Sequence, residues 1–385
     1  MQYSPSRRTA LVLCGTGAHG AYHAGVLRAL QEAGVKIEVV AGQGIGAAGA
    51  VLAAIDGGSR LWDTDGIWRS PQAKRFYRFR IFKWQRRMRR VSGSLWWRLL
   101  GAPFDSSAAI DAFTGAVWQL VRGASREVHP PREAGRRYAE VLAENLGQPG
   151  FRELMIVATD LDSRTDVVAA MLREPYRRDY IAARQGRERR AEALDLGGLG
   201  RDHALDVMGA ALTPPVACEP AIVTFAPEGY WRGESHRMCE RPGSVSRLFE
   251  ELAGAAVSQL IVVTAVPPSS APHHLRVPRL DLRSRLGEFV SAAEAAALRD
   301  AMDHALLRFD SSYVICPSHN PVGPFDFGGA YDEASDRRHS TTELLAGGYE
   351  DAYHQFIDPV VGASGEMIAH GSRHADRSRG VPEAQ

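Results

Sequence analysis

The chain has 385 residues, 45% of them hydrophobic and 24% charged, with a net charge of +1. That length and apolar share suit one large globular domain or two small ones, and the near-zero charge excludes a molecule that binds nucleic acid or membrane through its overall field. Four cysteines, Cys14, Cys218, Cys239 and Cys316, lie far apart with no C-x-x-C pair, so neither a metal site nor a disulfide framework is indicated and no cofactor is expected.

The opening stretch MQYSPSRRTALVLCGTGAHG carries only a short apolar run before its glycines. It is too short and broken for a signal peptide or a spanning helix, so the expectation is a cytoplasmic protein, at most peripheral to the inner face of a membrane. Thr9 to Cys14 reads as a buried strand, followed by a glycine loop and a helix from Gly20 to Ala33. Ile37 to Ala41 is a second strand and Ile45 to Ile55 a second helix. This β-α-β-α start predicts an α/β fold whose mostly parallel central sheet carries helices on its faces. Further strands are expected at Leu154–Thr159, Val167–Met171, Ala221–Phe225, Gln259–Ala265 and Tyr313–Cys316. Helices are expected at Arg132–Asn145, His203–Ala211, Ser244–Gly254, Glu288–Phe309 and Thr341–Ile357. The charged, glycine-rich stretch RQGRERRAEALDLGGLGRD reads as an exposed loop or lid. The chain therefore divides into a domain over 9–320, a helical segment over 321–361 packed on it, and a tail over 362–385 with no apolar periodicity, expected to be disordered.

One segment departs from the neutral average. From Trp68 to Phe104 there is neither Asp nor Glu, and Arg and Lys alternate with aromatic residues. Tyr77, Ile81, Trp84 and Met88 are spaced to share one helical face, and Trp96 and Trp97 follow. A basic, aromatic insert of this kind over 68–104 suits the surface of an anionic membrane, or a helical cap with solvated arginines. A single-stranded nucleic acid could use such a surface too, but none is expected as partner.

Two glycine turns carry the functional argument. Gly15-Thr16-Gly17-Ala18-His19-Gly20 is a G-x-G-x-x-G between a strand and a helix. As a dinucleotide site it would need an acid at the end of the second strand, where the chain has Val40-Ala41-Gly42-Gln43. That position instead holds Gly42-Gln43-Gly44-Ile45-Gly46, the shape of a G-x-S-x-G nucleophile elbow with glycine at its apex.

The two turns together resemble the patatin-like phospholipases, lipid acyl hydrolases with a Ser–Asp dyad. Gly15 to Gly20 followed by Ala21-Tyr22-His23-Ala24-Gly25-Val26-Leu27 is similar to the family's oxyanion loop and first helix, and FRELMIVATDLDSRTDVV, ALDVMGAALTPPV and QLIVVTAVPP resemble later family segments. The resemblance implies a three-layer α/β sandwich and hydrolysis of lipid esters. It also marks departures: the nucleophile position is Gly44, the dyad acid aligns with Arg232, and the oxyanion loop has Thr16 for a glycine and His19 for an arginine. Glycine cannot form an acyl-enzyme, and a permanently protonated guanidinium cannot act as base. The expectation is therefore a protein that has lost the family's catalysis and binds a lipid or fatty-acyl anion between the loop amides and Arg232, or regulates a protein partner that the sequence does not identify. An active hydrolase with another nucleophile is the alternative.

Overall fold

The computed structural model describes residues 3–69, 141, 144–145, 148, 150–182, 191–196, 201–215, 220–225, 233–268 and 282–362. Arg232, Tyr77, Ile81, Trp84, Met88, Trp96 and Trp97 lie outside them, as do most of the insert, nearly all of the helix expected over 132–145, and the tail after Gly362.

Strands β1 (Thr9–Gly15), β2 (Val39–Gly44), β3 (Glu153–Asp160) and β8 (Gln259–Thr264) are buried along their whole length. Near-continuous apolar runs such as ALVLC and LIVVT are what a strand covered on both faces requires. The sheet order is β5-β4-β3-β2-β1-β8-β9, with β4 at Thr165–Met171, β5 at Ala191–Asp195 and β9 at Ser311–Ile315. Pairings β1–β2, β2–β3, β1–β8, β8–β9 and β4–β5 are parallel, and β3–β4 is antiparallel. A hairpin of β6 (Ala221–Thr224) and β7 (Ser235–Cys239) joins the end of β3 through Thr159 and Asp160. A small separate pair, β10 (Ala330–Asp332) and β11 (Arg337–His339), lies near the C-terminus.

Alternation along the strands sorts the core into two layers. Leu11, Leu13, Val40, Ile156, Ile261 and Val263 face one cluster, while Ala10, Val12, Ala41, Val157, Leu260 and Val262 face the other. The first face is covered by α1 (Gly20–Glu32) and α2 (Ile45–Asp56), followed by the short α3 (Ser59–Trp62). The flanking helices that come next are α4 (Tyr176–Ala182), α5 (Arg201–Ala211) and α6 (Val245–Gly254). With α7 (Leu282–Ala305), α6 covers the second face. A C-terminal helix, α8 (Thr341–Ala352), lies against α1 at close range: a Cβ on Gly25 would run into the Leu345 carbonyl, and one on Gly348 into that of Tyr22. Ser340 and Glu343 form a reciprocal capping box at the start of α8.

The structure differs from the sequence expectations in several places: α4 and the β10–β11 pair were not expected, and α7 begins at Leu282 rather than Glu288. Ala191–Asp195, read as loop, is an edge strand parallel to β4, because Ala193 and Leu194 supply packing that charged neighbours obscured. Strand β7 was not expected, since Ser235–Cys239 mixes polar and apolar residues as a half-exposed strand does. The helix expected to run to Ile357 changes at Tyr353 to a π-helical turn containing Pro359. Trp68, at the start of the basic insert, is buried in the first core layer, beside Gly20 of the glycine loop.

Candidate functional site

The parallel register of β1 and β2 sets Gly15 beside Gly44, so both glycine turns leave the sheet at the carboxyl ends of these central strands. Gly44 has φ 61° and ψ −132°, a left-handed turn between strand and helix that L-residues adopt only under strain. A Cβ placed there would collide with the Gly15 carbonyl oxygen and lie 2.7 Å from Oε2 of Glu240. The apex is therefore closed by backbone on one side and by a carboxyl group on the other.

Glu240 follows β7 directly and is fully buried. Its Oε1 lies 2.5 Å from the Thr16 hydroxyl, and that hydroxyl lies 2.6 Å from Oε1 of Glu294 on α7. The other oxygen of Glu294 is 3.5 Å from Nδ1 of His19, which is itself only 1% exposed. A continuous polar chain thus runs Glu240, Thr16, Glu294, His19. One hydroxyl proton cannot serve two carboxylates, so a carboxyl must carry the second. Burial pushes Glu240 well above the ordinary carboxylate range; the Thr16 hydroxyl opposes this and nearby Glu294 adds to it. Burial thus favours the protonated form of Glu240. Three atoms of the chain, His19 Nδ1, Glu294 Oε2 and Glu240 Oε2, are buried with no hydrogen-bond partner, as is Gln43 Nε2 on the elbow.

Two amides of the glycine loop are taken by backbone carbonyls. The Ala18 amide donates to the Pro324 carbonyl at 2.7 Å and the His19 amide to the Thr16 carbonyl at 3.3 Å. Gly17 is held against Pro324, and Gly20 against Trp68 and Ile45. An anion seated on these amides, as the sequence suggested, would face carboxyl groups at the apex, and Arg232 lies outside the described residues. Neither neighbouring side chain offers a substitute nucleophile or base at the elbow. Burial drives the Cys14 thiol upward, away from the reactive thiolate. His23 bonds the Cys14 carbonyl through Nε2 at 3.0 Å, and burial lowers it to about 3, so it is neutral. Asp56-Gly57-Gly58 is a helix terminator, with Gly57 left-handed at the end of α2 and the Asp56 carboxylate accepting from the Gly58 amide.

Next to the chain of polar groups lies a cavity of about 220 Å³, lined by His19, by Ala265 and Val266 just past β8, by Glu288 and Ser291 of α7, and by Asp326 among others. Sequence reasoning found Thr16 and His19 but not Glu240 or Glu294. These stand 224 and 278 residues from Thr16 and belong to no motif with fixed spacing. A faint signal did exist: Glu294 is an acid on the inward side of a helix where the neighbouring core positions are alanine and valine.

Residues 11–181 match the family model described as Patatin-like phospholipase. Among solved structures, the chain is similar to VipD from Legionella pneumophila, at 13% identity and a TM-score of 0.33 over 92% of this chain and 68% of that one. It is also similar to the type III effector protein ExoU, at 14% identity and a TM-score of 0.30 over 91% of this chain and 53% of that one. No curated protein matches it.

Proposed function

We propose, from the premise that residues 11–181 of this chain belong to the patatin-like phospholipase family, that the protein engages an acyl lipid without cleaving it by the family's serine route. The observation that carries this reading is the apex of the elbow. Gly44 offers no nucleophile, and Glu240 and the Gly15 carbonyl fill the space that a side chain would need. Acyl transfer through a covalent intermediate needs a nucleophile with a base in reach; here the nearest acid is buried, and burial pushes it well above the ordinary carboxylate range. A regulatory or ligand-sensing role fits a scaffold kept while its chemistry is removed.

The test is labelling with a fluorophosphonate probe, alongside hydrolysis of p-nitrophenyl butyrate and a panel of phospholipids. The expected result is no labelling and no turnover above buffer. Labelling, or turnover unchanged by substitutions around Gly44, would favour the alternative of an active hydrolase using another nucleophile.

The acid-free run from Trp68 to Phe104 supports a second element of the proposal, peripheral contact with an anionic bilayer. Co-sedimentation with vesicles should rise with anionic lipid content and fall with salt, because surface attraction is screened over about 8–10 Å. Equal recovery on neutral and anionic vesicles would remove it.

A further inference from the structure

Three elements far apart in the chain meet at one buried hydroxyl. Thr16 belongs to the glycine loop, Glu240 follows β7, and Glu294 sits midway along α7. All three residues are buried, and the hydroxyl lies 2.5 Å from one carboxyl group and 2.6 Å from the other. Through this hydroxyl α7 is tied to the glycine loop. Glu240 is pinned on its own side: its amide donates to the Thr213 carbonyl at 2.9 Å, and its carboxyl group stands against Gly44.

A hydroxyl donates one hydrogen bond and accepts two. With one carboxyl group protonated, that group donates to the Thr16 oxygen and Thr16 donates to the other carboxylate, so both contacts are hydrogen bonds. With neither protonated, one contact sets lone pairs against lone pairs, and two negative charges share a space shielded from water. Like charges so placed disfavour each other strongly, and one contact must open. Since Glu240 is pinned, the contact that opens is the one to Glu294. The other titratable or charged groups near this place, among the described residues, are settled or paired. Burial keeps Cys14, near the end of β1, and Cys239, at the end of β7, as thiols, with Cys239 pushed up to about 11. His23 on α1 is neutral, lowered to about 3 by burial. Arg241, next to Glu240, pairs with Asp166, and Arg247 of α6 pairs with Glu250 at 2.7 Å. Asp326 accepts from the Gly323 amide at 3.2 Å. His19, with Nδ1 3.5 Å from Glu294, is a second group able to gain a proton beside the carboxyl pair.

We propose that Glu240, Thr16 and Glu294 form a proton-held clasp: one carboxyl proton keeps α7 on the glycine loop, and loss of that proton frees α7 there. Gly287, Glu288 and Ser291 of α7 line the same cavity as His19 of the loop, so the clasp controls how closely these two walls stand. This control is independent of what the protein binds and of whether it cleaves it. Burial pushes Glu240 well above the ordinary carboxylate range, so the folded protein keeps the proton at acid pH and gives it up as pH rises.

The test is amide hydrogen exchange of the full-length protein at pH 5 and pH 8.5, read as protection factors corrected for the intrinsic pH dependence of exchange. Protection over residues 291–298 of α7 should fall about ten-fold or more from pH 5 to pH 8.5, while that of α8 changes by less than about two-fold. Glu294→Gln and Glu240→Gln should each hold α7 protection constant within about two-fold, because the new side-chain amide donates to Thr16 and no carboxyl proton is then needed. Thr16→Ser, which keeps the hydroxyl, should fall as wild type does, and Thr16→Val should leave α7 weakly protected at both pH values. His19→Gln separates the two sources of a proton: a fall that persists in this variant assigns the proton to the clasp, and a fall that it abolishes overturns the assignment. Equal α7 protection at the two pH values in wild type, a fall shared equally by α8, or a fall that survives in both glutamine variants of the carboxyl pair would likewise overturn it.

Discussion

Two acid–histidine clusters lie at the carboxyl end of this sheet, and they are built in opposite ways. In the first, buried Asp160 accepts from the Asp162 and Ser163 amides through Oδ1, and through Oδ2 from the Ser163 hydroxyl at 2.6 Å and His236 Nδ1 at 2.5 Å. His236 Nε2 reaches Glu234 at 3.2 Å. Burial alone would raise Asp160 and lower His236, but these bonds outweigh it: Asp160 lies below and His236 above its ordinary value. The bonds favour the charged form of both, and both are satisfied. In the second cluster, Glu240, Thr16, Glu294 and His19 share too few protons, and three polar atoms stay without partners. The first arrangement holds the β3–β4 turn to β7. The second tolerates a cost of about 1–3 kcal/mol for each unsatisfied group, beside a cavity and an elbow. The difference separates a structural network from a site.

The largest expected effect comes from forcing a side chain into the second cluster. Gly44→Ser should lower unfolding free energy by about 3 kcal/mol or more, combining left-handed strain of about 1–3 kcal/mol with the collision against Glu240 and Gly15. Gly34→Ala is the control, since Gly34 is also left-handed, at φ 68°, but has open space around it; strain alone should cost about 1 kcal/mol there. Urea denaturation of both variants checks this, and equal costs would mean that the apex is not crowded. Esterase activity should not appear in Gly44→Ser.

Somewhat smaller is the loss expected on breaking the first cluster. Asp160→Ala strands His236, Ser163 and two amides, and should destabilise by roughly 3 kcal/mol, in the range for removing one partner of a buried charge pair. A cost below about 1 kcal/mol would show that the two clusters do not differ as described.

Smallest, and of opposite sign, is Glu240→Gln. The folded protein keeps the Glu240 proton at pH values where the unfolded chain has released it, so the folded state binds more protons and stability falls as pH climbs above the ordinary glutamate value of 4.5. Glutamine removes this dependence. The variant should be about 1 kcal/mol more stable than wild type at pH 8, and closer to it at pH 5. Urea midpoints at the two pH values measure the change, and a larger gain at pH 5 would reverse the proton assignment.

Much of the frame was legible in the residues. Strands β1, β3 and β8 lie within one residue of where their apolar runs placed them, and β2 within three, because a strand buried on both faces has little choice but to be apolar throughout. Half-buried β7 and edge strand β5 lacked that signature and were missed.

The sequence by itself determined that no serine stands at the elbow apex and that a glycine loop precedes the first helix, since both are local patterns set by backbone conformation and side-chain identity. It could not determine what surrounds that apex. Gly15 meets Gly44 through the register of two parallel strands, and Glu240 and Glu294 arrive from 224 and 278 residues beyond Thr16, one just after β7 and the other on α7. Their convergence depends on how whole layers pack, which no periodicity or short spacing records.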